Sequence, residues 1–144
     1  MKQLLRLTLL LTLVAPLAAL AEQAMRFGDI EIHYSAMLTA DLQPEVARTY
    51  GIERGKSRGI ATLAVLQKDA AGVARPIKAS VDVSVVNAVG RVVLVAMREI
   101  QENAAVYYIG TFRVADEETL TFKVQIIPDS AKPQNFEFKK TFFP

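Results

Sequence analysis

Residues 77–100 read IKASVDVSVVNAVGRVVLVAMREI, and this stretch decides the fold class. Its first half alternates apolar and polar side chains, which is typical of a strand with one buried face. Residues 87–90 (NAVG) indicate a turn, and residues 92–97 (VVLVAM) are apolar without interruption. We therefore predict a β-hairpin whose first strand is half buried and whose second strand is buried on both faces. The apolar positions of the first strand are Ile77, Ala79, Val81, Val83 and Val85.

The segments on either side of this hairpin also have strand patterns. Three of them alternate with a period of two, one is apolar on both faces, and the last carries phenylalanines on one face. With the hairpin they make about seven strands, and no helices alternate with them, so antiparallel sheets are expected. We predict an all-β fold, an immunoglobulin-like antiparallel sandwich, with an open barrel as the alternative. The segments are residues 30–38, 106–114, 120–126, 59–67 and 136–142.

Residues 42–51 interrupt the strand pattern. Pro44 suits the first position of a helix, and Gly51 suits the residue just past its end. A helix of about two turns would place Val46 and Tyr50 on one face, and it needs packing to be stable. We predict one short helix between the first two strands, covering one end of the β structure. A basic connector, residues 52–58, follows it.

The first 21 residues have the pattern of a secretory signal peptide. Lys2 and Arg6 precede an apolar run, and Ala19-Leu20-Ala21 matches the small-x-small pattern of a cleavage site. The apolar run is shorter than the roughly 20 residues that span a bilayer, which argues against a membrane anchor. We expect cleavage after residue 21, a single sandwich domain in residues 22–144, and a periplasmic location.

Charge and cysteine content restrict the partners and the chemistry. Removal of residues 1–21 leaves 123 of the 144 residues, with 15 basic and 15 acidic side chains. Nucleic-acid-binding domains carry a basic surface, so this balance argues against a nucleic-acid partner. The chain has no cysteine, which excludes thiol nucleophiles, disulfides and thiolate metal sites. A domain of this length can bury a sufficient core without disulfides.

His33 is the only histidine, and it lies on the polar side of its predicted strand. Met37 lies on the same side and Met25 has the same parity, so a copper site with His and Met ligands is one alternative. Four residues along a strand span about 13 Å, which is too far for His33 and Met37 to bind one ion. We therefore expect no metal, no cofactor, and a surface position for His33.

The sequence lacks the motifs of nucleophilic catalysis. A Ser-His-Asp triad would need His33 as its base, and no G-x-S-x-G motif is present. The enzymatic alternative is an envelope-polymer hydrolase that uses carboxylates such as Glu99 and Glu102. We expect a protein without catalytic activity.

Several short segments occur in an order that resembles DUF4426, a domain of unknown function found in small exported proteins of Gram-negative bacteria. The resemblance covers essentially the whole chain after residue 21, although Gly55 stands where serine is expected. It implies a periplasmic location and a single β domain, and it implies no activity, ligand or catalytic residue. The segments are residues 33–36 (HYSA), 42–47 (LQPEVA), 50–54 (YGIER), 87–91 (NAVGR), 102–109 (ENAAVYYI) and 118–122 (ETLTF).

The leading hypothesis is a non-catalytic periplasmic module that binds another envelope protein. Its working surface is predicted on the His33 face of the first strand, the helix and the basic connector, because loops beside a rigid sandwich commonly carry binding residues. A further alternative is a single-domain assembly factor or chaperone that offers an edge strand to a client. The candidate binding residues are His33, Tyr50, Arg54, Lys56, Arg58 and Tyr107.

Overall fold

The structure, a computed structural model, describes residues 23–143. These residues form ten strands, one short α-helix and a 3-10 turn at Thr39–Asp41. In chain order the strands and the helix are β1 (Gln23–Phe27), β2 (Ile30–Leu38), α1 (Pro44–Thr49), β3 (Arg58–Lys68), β4 (Ala74–Pro76), β5 (Ala79–Val86), β6 (Val92–Val95), β7 (Arg98–Glu102), β8 (Ala105–Arg113), β9 (Glu118–Pro128) and β10 (Gln134–Phe142).

The strands pair antiparallel and divide into two sheets. Sheet A has six strands, in the order β1-β2-β3-β8-β7 with β4 paired to β3, and sheet B has four, in the order β10-β9-β5-β6. The predicted all-β, immunoglobulin-like antiparallel sandwich is therefore confirmed, with ten strands in residues 23–143 instead of about seven. The additional strands are β1, β4 and β7, three short segments whose apolar alternation is weak.

The inner faces of the two sheets form one hydrophobic core. Tyr34 of β2 packs on Phe138 of β10 with ring centroids 4.5 Å apart, and Phe112 of β8 meets Phe122 of β9 edge to face at 5.1 Å. Aromatic pairs of this kind contribute about 0.5–1.5 kcal/mol beyond the area they bury. The period-two positions predicted to face inward supply most of this core, among them Ile30, Ile32, Val83, Val85, Leu120, Val124 and Ile126.

The second strand of the central hairpin differs from its prediction. β6 pairs with β5 as expected, with Val83 opposite Val95 and Val86 opposite Val92. However, β6 is an edge strand of sheet B, and Val92 and Leu94 are 59% and 83% exposed. The prediction of burial on both faces is wrong because an apolar run does not reveal whether a second layer covers it.

The chain crosses from sheet B to sheet A between β6 and β7, and this crossing passes over Gly110 of β8. A Cβ atom at Gly110 would lie 2.6 Å from Sδ of Met97, 2.7 Å from Cγ1 of Val95 and 2.8 Å from the carbonyl oxygen of Ala96. The close approach of the crossing segment therefore requires glycine at this position.

Helix α1 lies between β2 and β3 and packs on the outer face of sheet A, not at an end of the β structure as predicted. Its boundaries match the prediction, with Pro44 in the first turn and Gly51 just past the C-cap at φ 64°. The N–H of Gly51 donates to the carbonyl of Arg48, and that of Ile52 donates to the carbonyl of Ala47 at 2.7 Å. These two bonds form a Schellman motif, which turns the chain back so that Ile52 faces the sheet.

Residues 1–21, the predicted signal peptide, lie outside the described residues. Within residues 23–143 no helix is long and apolar enough to cross a membrane. The domain start at residue 22 depends on the predicted cleavage and stays a prediction.

Candidate functional site

A cleft of about 280 Å³ separates helix α1 from the outer face of sheet A. Because side chains alternate along a strand, the residues of β3, β7 and β8 that do not enter the core point into this cleft. The structure brings together two of the predicted binding residues here, Tyr50 and Tyr107, and we call this site the α1 cleft. Its lining consists of Leu42, Val46, Tyr50, Ile52, Ile60, Thr62, Ile100, Glu102, Tyr107 and Ile109.

Tyr50 and Glu102 close one side of the α1 cleft. The Tyr50 hydroxyl donates a hydrogen bond to Oε1 of Glu102, joining helix α1 to the end of β7. This hydrogen bond raises the pKa of the Tyr50 hydroxyl above its ordinary value, and the nearby Tyr107 contributes in the same direction. Arg98 lies at the other end of β7, and its guanidinium donates to the backbone carbonyl of Tyr50. The position of Tyr50 is therefore fixed at both its side chain and its backbone.

The roles of Glu102 and Arg98 at this site were not predicted from the sequence. Glu102 was named only as a carboxylate of the hydrolase alternative, and its partner Tyr50 lies 52 residues away, so the pair leaves no local pattern. The alternation of β7 was the available signal, since it places Arg98, Ile100 and Glu102 on the same face of their strand.

His33 belongs to a polar cluster on the outer face of β1 and β2. Its Nε2 atom lies 2.7 Å from Oε1 of Glu31, and Nε of Arg26 donates to Oε2 of the same carboxylate at 2.9 Å. Burial raises the pKa of the Glu31 carboxyl, but the hydrogen bonds from Arg26 and His33 outweigh this effect, so the pKa lies below its ordinary value. The cluster thus holds an ionised carboxylate between two nitrogen donors.

The strand register places His33 near the α1 cleft. His33 pairs with Ala64 of β3, and the preceding residue, Leu63, pairs with Tyr108 of β8. Adjacent strands are about 4.8 Å apart, so His33 and Tyr107 lie on the same face of sheet A roughly 10 Å apart. The predicted residues His33, Tyr50 and Tyr107 therefore share one surface.

The basic connector lies at the far end of that surface. Arg58 begins β3, six residues before Ala64, the residue that pairs with His33. Six residues of a strand span about 20 Å, so Arg58 lies about that far from Ala64. Arg58 forms an ion pair with Glu53 at 3.0 Å, and Lys56 is exposed. The His33 cluster and the connector are consequently separate features of one face of the sandwich.

Arg54 has a structural contact that its sequence position did not reveal. Its guanidinium donates to the carbonyl of Ala40 in the 3-10 turn at 2.6 Å. The buried hydroxyl of Thr39 bonds both the carbonyl and the N–H of Gly55, at 3.2 and 2.9 Å. These bonds tie the connector to the turn after β2, so Arg54 and Gly55 position the connector.

The two carboxylates of the hydrolase alternative point to opposite faces of sheet A. Glu99 lies opposite Tyr108, which is buried in the core, whereas Glu102 opens on the α1 cleft. The hydrogen bond from Gln101 lowers the pKa of the Glu99 carboxyl, burial opposes it, and Lys78 at 3.3 Å lowers it further. A glycosidase needs two carboxyls facing each other across a substrate, and this pair does not supply them.

The edge of sheet B carries a second exposed surface. Val89, Val92 and Leu94 are 86%, 59% and 83% exposed, and we call them the β6 edge surface. The N–H of Asn87 donates to the carbonyl of Arg91 at 3.1 Å, so hydrogen-bonded pairs continue at alternate positions along the hairpin. This alternation directs the backbone N–H and C=O groups of Val92 and Leu94 away from β5, towards the open edge.

The positions of His33 and of two methionines bear on the copper alternative. Met25 packs against the core, on the opposite face of sheet A from His33, whereas Met37 stays on the His33 face. Within residues 23–143 no three His, Cys, Asp or Glu side chains are grouped as ligands for one ion. Met25 therefore cannot be a ligand of a copper site on the His33 face, although its sequence parity with His33 had suggested this.

Comparison with known proteins places the fold among solved structures. The chain resembles a DUF4426 family protein, PA0388 of Pseudomonas aeruginosa PAO1, with 32% identity over 85% of this chain and 95% of that chain and a TM-score of 0.73. It also resembles FetP of uropathogenic Escherichia coli strain F11, recombinantly expressed in the periplasm, with 12% identity and a TM-score of 0.60 over 85% of this chain and 93% of that one.

A copper-bound variant of the same FetP aligns with 14% identity and a TM-score of 0.58, over 85% of this chain and 95% of that one. At these identities the likeness to FetP shows only that the two proteins share a fold. No curated protein matches the chain. The family described as a domain of unknown function, DUF4426, matches residues 24–144. The chain therefore belongs to the DUF4426 family.

Proposed function

We propose that this protein is a non-catalytic periplasmic module that binds an extended segment of another envelope protein at strand β6. The observation that carries the proposal is the β6 edge surface, an apolar edge whose backbone hydrogen-bonding groups are open. The signal-peptide pattern of residues 1–21 supports the periplasmic location.

The side chains of β6 have the composition of a strand that is covered on both faces. Val92, Val93, Leu94 and Val95 form a continuous apolar run, yet within this strand only Val95 is buried. Proteins usually protect a sheet edge with charged residues, and the other edge of sheet B, β10, has Lys139 and Lys140. The absence of any charge within β6 favours an edge that is covered by a partner.

The backbone of β6 is suited to pairing with one more strand. The N–H and C=O groups of Val92 and Leu94 point to the open edge, so an added strand would continue sheet B. Peptide recognition by strand addition takes its affinity from such main-chain bonds and its specificity from alternate side chains. The partner segment is therefore expected to be extended, uncharged and apolar at alternate positions.

Photo-crosslinking in living cells tests this proposal. A photoreactive residue at Leu94 should give a discrete crosslinked product that mass spectrometry identifies as an envelope protein. The same probe at Lys123, which is exposed on the same outer face of sheet B but two strands away from the β6 edge, serves as the control site. Equal products from both sites, or no product from Leu94, would contradict the proposal.

A pair of charge variants separates edge pairing from general surface effects. Leu94→Lys places a charge on the edge and should abolish the crosslink from a probe at Val92. Gln125→Lys adds the same charge to the exposed face of β9 and should leave that crosslink unchanged. A crosslinked product that contains two copies of this chain would show that β6 pairs in a homodimer, and it would overturn the proposal of an envelope partner.

Copper binding, known for the FetP variant from its structure, is not included in this proposal. His33 contacts Glu31 at 2.7 Å, and Met37 lies four residues further along β2, or about 13 Å away. These distances do not bring a histidine, a methionine and a carboxylate together around one ion. Copper titration of the purified protein, followed by the His33 imidazole signals, would show tight stoichiometric binding if this argument is wrong.

A further inference from the structure

We propose that the α1 cleft binds a small organic cation, an ammonium or quaternary ammonium group that carries a short apolar chain. The apolar chain would enter the cleft between α1 and sheet A, and the cationic group would lie against the Glu102 carboxylate and the rings of Tyr50 and Tyr107. This site is on sheet A and is independent of the β6 edge surface on sheet B.

The charge of the cleft selects a cation. Glu102 is the only charged residue among those that line the cleft. Its hydrogen-bond partner is the neutral hydroxyl of Tyr50, and within residues 23–143 no basic side chain lies within ion-pair distance of Glu102. By contrast, the other two carboxylates on the strands of sheet A, Glu31 and Glu99, have basic partners at 2.9 and 3.3 Å. The lining of the cleft thus carries one negative charge, and Arg98, at the adjoining end of α1, is engaged with the backbone carbonyl of Tyr50 and forms no ion pair with Glu102.

The walls of the cleft suit the rest of such a ligand. Six aliphatic side chains line it, and the half-buried ring of Tyr50 and the exposed ring of Tyr107 line it together with Glu102. Aromatic faces attract ammonium and quaternary ammonium groups, and a neighbouring carboxylate adds to this attraction. The aliphatic residues are Leu42, Val46, Ile52, Ile60, Ile100 and Ile109.

The size of the cleft limits the ligand. Its volume of about 280 Å³ is near the lower end of the range found for small-molecule sites in proteins. The helix that forms its roof is anchored to β7 of sheet A at Tyr50, whose hydroxyl donates to Glu102 and whose carbonyl accepts from Arg98. The cleft is therefore held in place by hydrogen bonds at one end, and a short chain fits it better than a lipid tail.

The test compares three probes of the same chain length. Hexyltrimethylammonium, hexanol and hexanoate are titrated into the purified protein, with calorimetry and the amide signals of residues 50–52 and 100–107 as readouts. The cation should bind saturably, hexanol more weakly, and hexanoate weakest. Saturable binding of hexanol with equal affinity would overturn the cation site in favour of a purely apolar cleft, and the absence of saturable cation binding would overturn the proposal entirely.

Two variants assign the contributions of the carboxylate and the ring. Glu102→Gln should weaken cation binding about threefold to tenfold and leave hexanol binding unchanged. Glu137→Gln makes the same chemical change on exposed β10 of sheet B and is the matched control. Tyr107→Phe keeps the ring and should retain binding, whereas Tyr107→Leu should lose it. Equal cation affinity for Glu102→Gln and the unsubstituted protein would refute the role of the carboxylate.

Discussion

The hydroxyl of Tyr108 accepts a hydrogen bond from the backbone N–H of Ala79 at 2.9 Å, and this bond joins the two sheets. Tyr108 lies on the inner face of β8 in sheet A, and Ala79 is the first residue of β5 in sheet B. The same hydroxyl lies 3.4 Å from Oε2 of Glu99, whose other oxygen is 3.3 Å from Nζ of Lys78. One buried tyrosine therefore links the central hairpin to the sheet that carries the α1 cleft.

Tyr108→Phe should lower the free energy of unfolding by about 1–3 kcal/mol, because it leaves the Ala79 N–H without its partner. Urea denaturation, followed by the far-ultraviolet circular dichroism of the backbone, measures this change. Tyr107→Phe, a substitution of the neighbouring residue whose ring faces the α1 cleft, is the matched control and should change stability little. Equal effects of the two variants would show that the inter-sheet bond does not contribute.

Glu31 should make the stability depend on pH in acid. Its pKa in the folded protein is lowered from the ordinary value of 4.5 by Arg26 and His33, which outweigh burial. The ionised form therefore stabilises the folded state above that ordinary value, and this stabilisation is lost as the pH falls through the lower folded value.

Glu31→Gln should accordingly flatten the acid limb of the stability curve as the pH falls below the ordinary value of 4.5. Denaturation at a series of pH values measures the difference between the variant and the unsubstituted protein. Glu45→Gln, at an exposed position of α1, is the control. A pH-independent difference for Glu31→Gln would contradict the assignment.

Gly110→Ala should destabilise the protein by about 1–3 kcal/mol, because its methyl group would overlap the segment that crosses from sheet B to sheet A. Gly55→Ala is a suitable comparison, since a Cβ atom there meets nothing within 4 Å and its φ is not positive. Thermal or urea denaturation of both variants checks this expectation. A stable Gly110→Ala protein would show that the crossing segment can move away.

Gly51→Ala should cost about 1–2 kcal/mol, because φ 64° is unfavourable for a residue with a Cβ atom. Gly51→Asn should cost less, since asparagine tolerates the left-handed conformation at a helix end. Denaturation midpoints of the two variants provide the comparison. If alanine and asparagine are equally tolerated, the helix end is not held in this conformation in solution.

The segments with a clear period of two were predicted correctly because alternation is a local property of a strand. Leu120, Phe122, Val124 and Ile126 point inward as expected, and Pro44 to Gly51 bounds the helix as expected. The short strands β1, β4 and β7 were missed because their pairing partners, rather than their own composition, define them.

The candidate site was predicted in part. Tyr50 and Tyr107 line one cleft, and His33 lies on the same face, but Arg54 bonds a backbone carbonyl and Arg58 pairs with Glu53. A charge pattern shows that a residue is polar, and it does not show which partner neutralises it. Glu102 belongs to the α1 cleft because it accepts a hydrogen bond from Tyr50, a residue far from it in the sequence.

The sequence by itself determined the all-β class, the hairpin at residues 77–100, the short helix and the family, since each depends on local periodicity, turn residues or motif order. The tertiary structure alone decided which apolar run is an edge, which face carries α1, and which carboxylate on the described strands of sheet A has a tyrosine instead of a basic side chain as its partner. Those properties depend on strand order and on contacts between residues far apart in the chain, and neither leaves a periodic trace in the sequence.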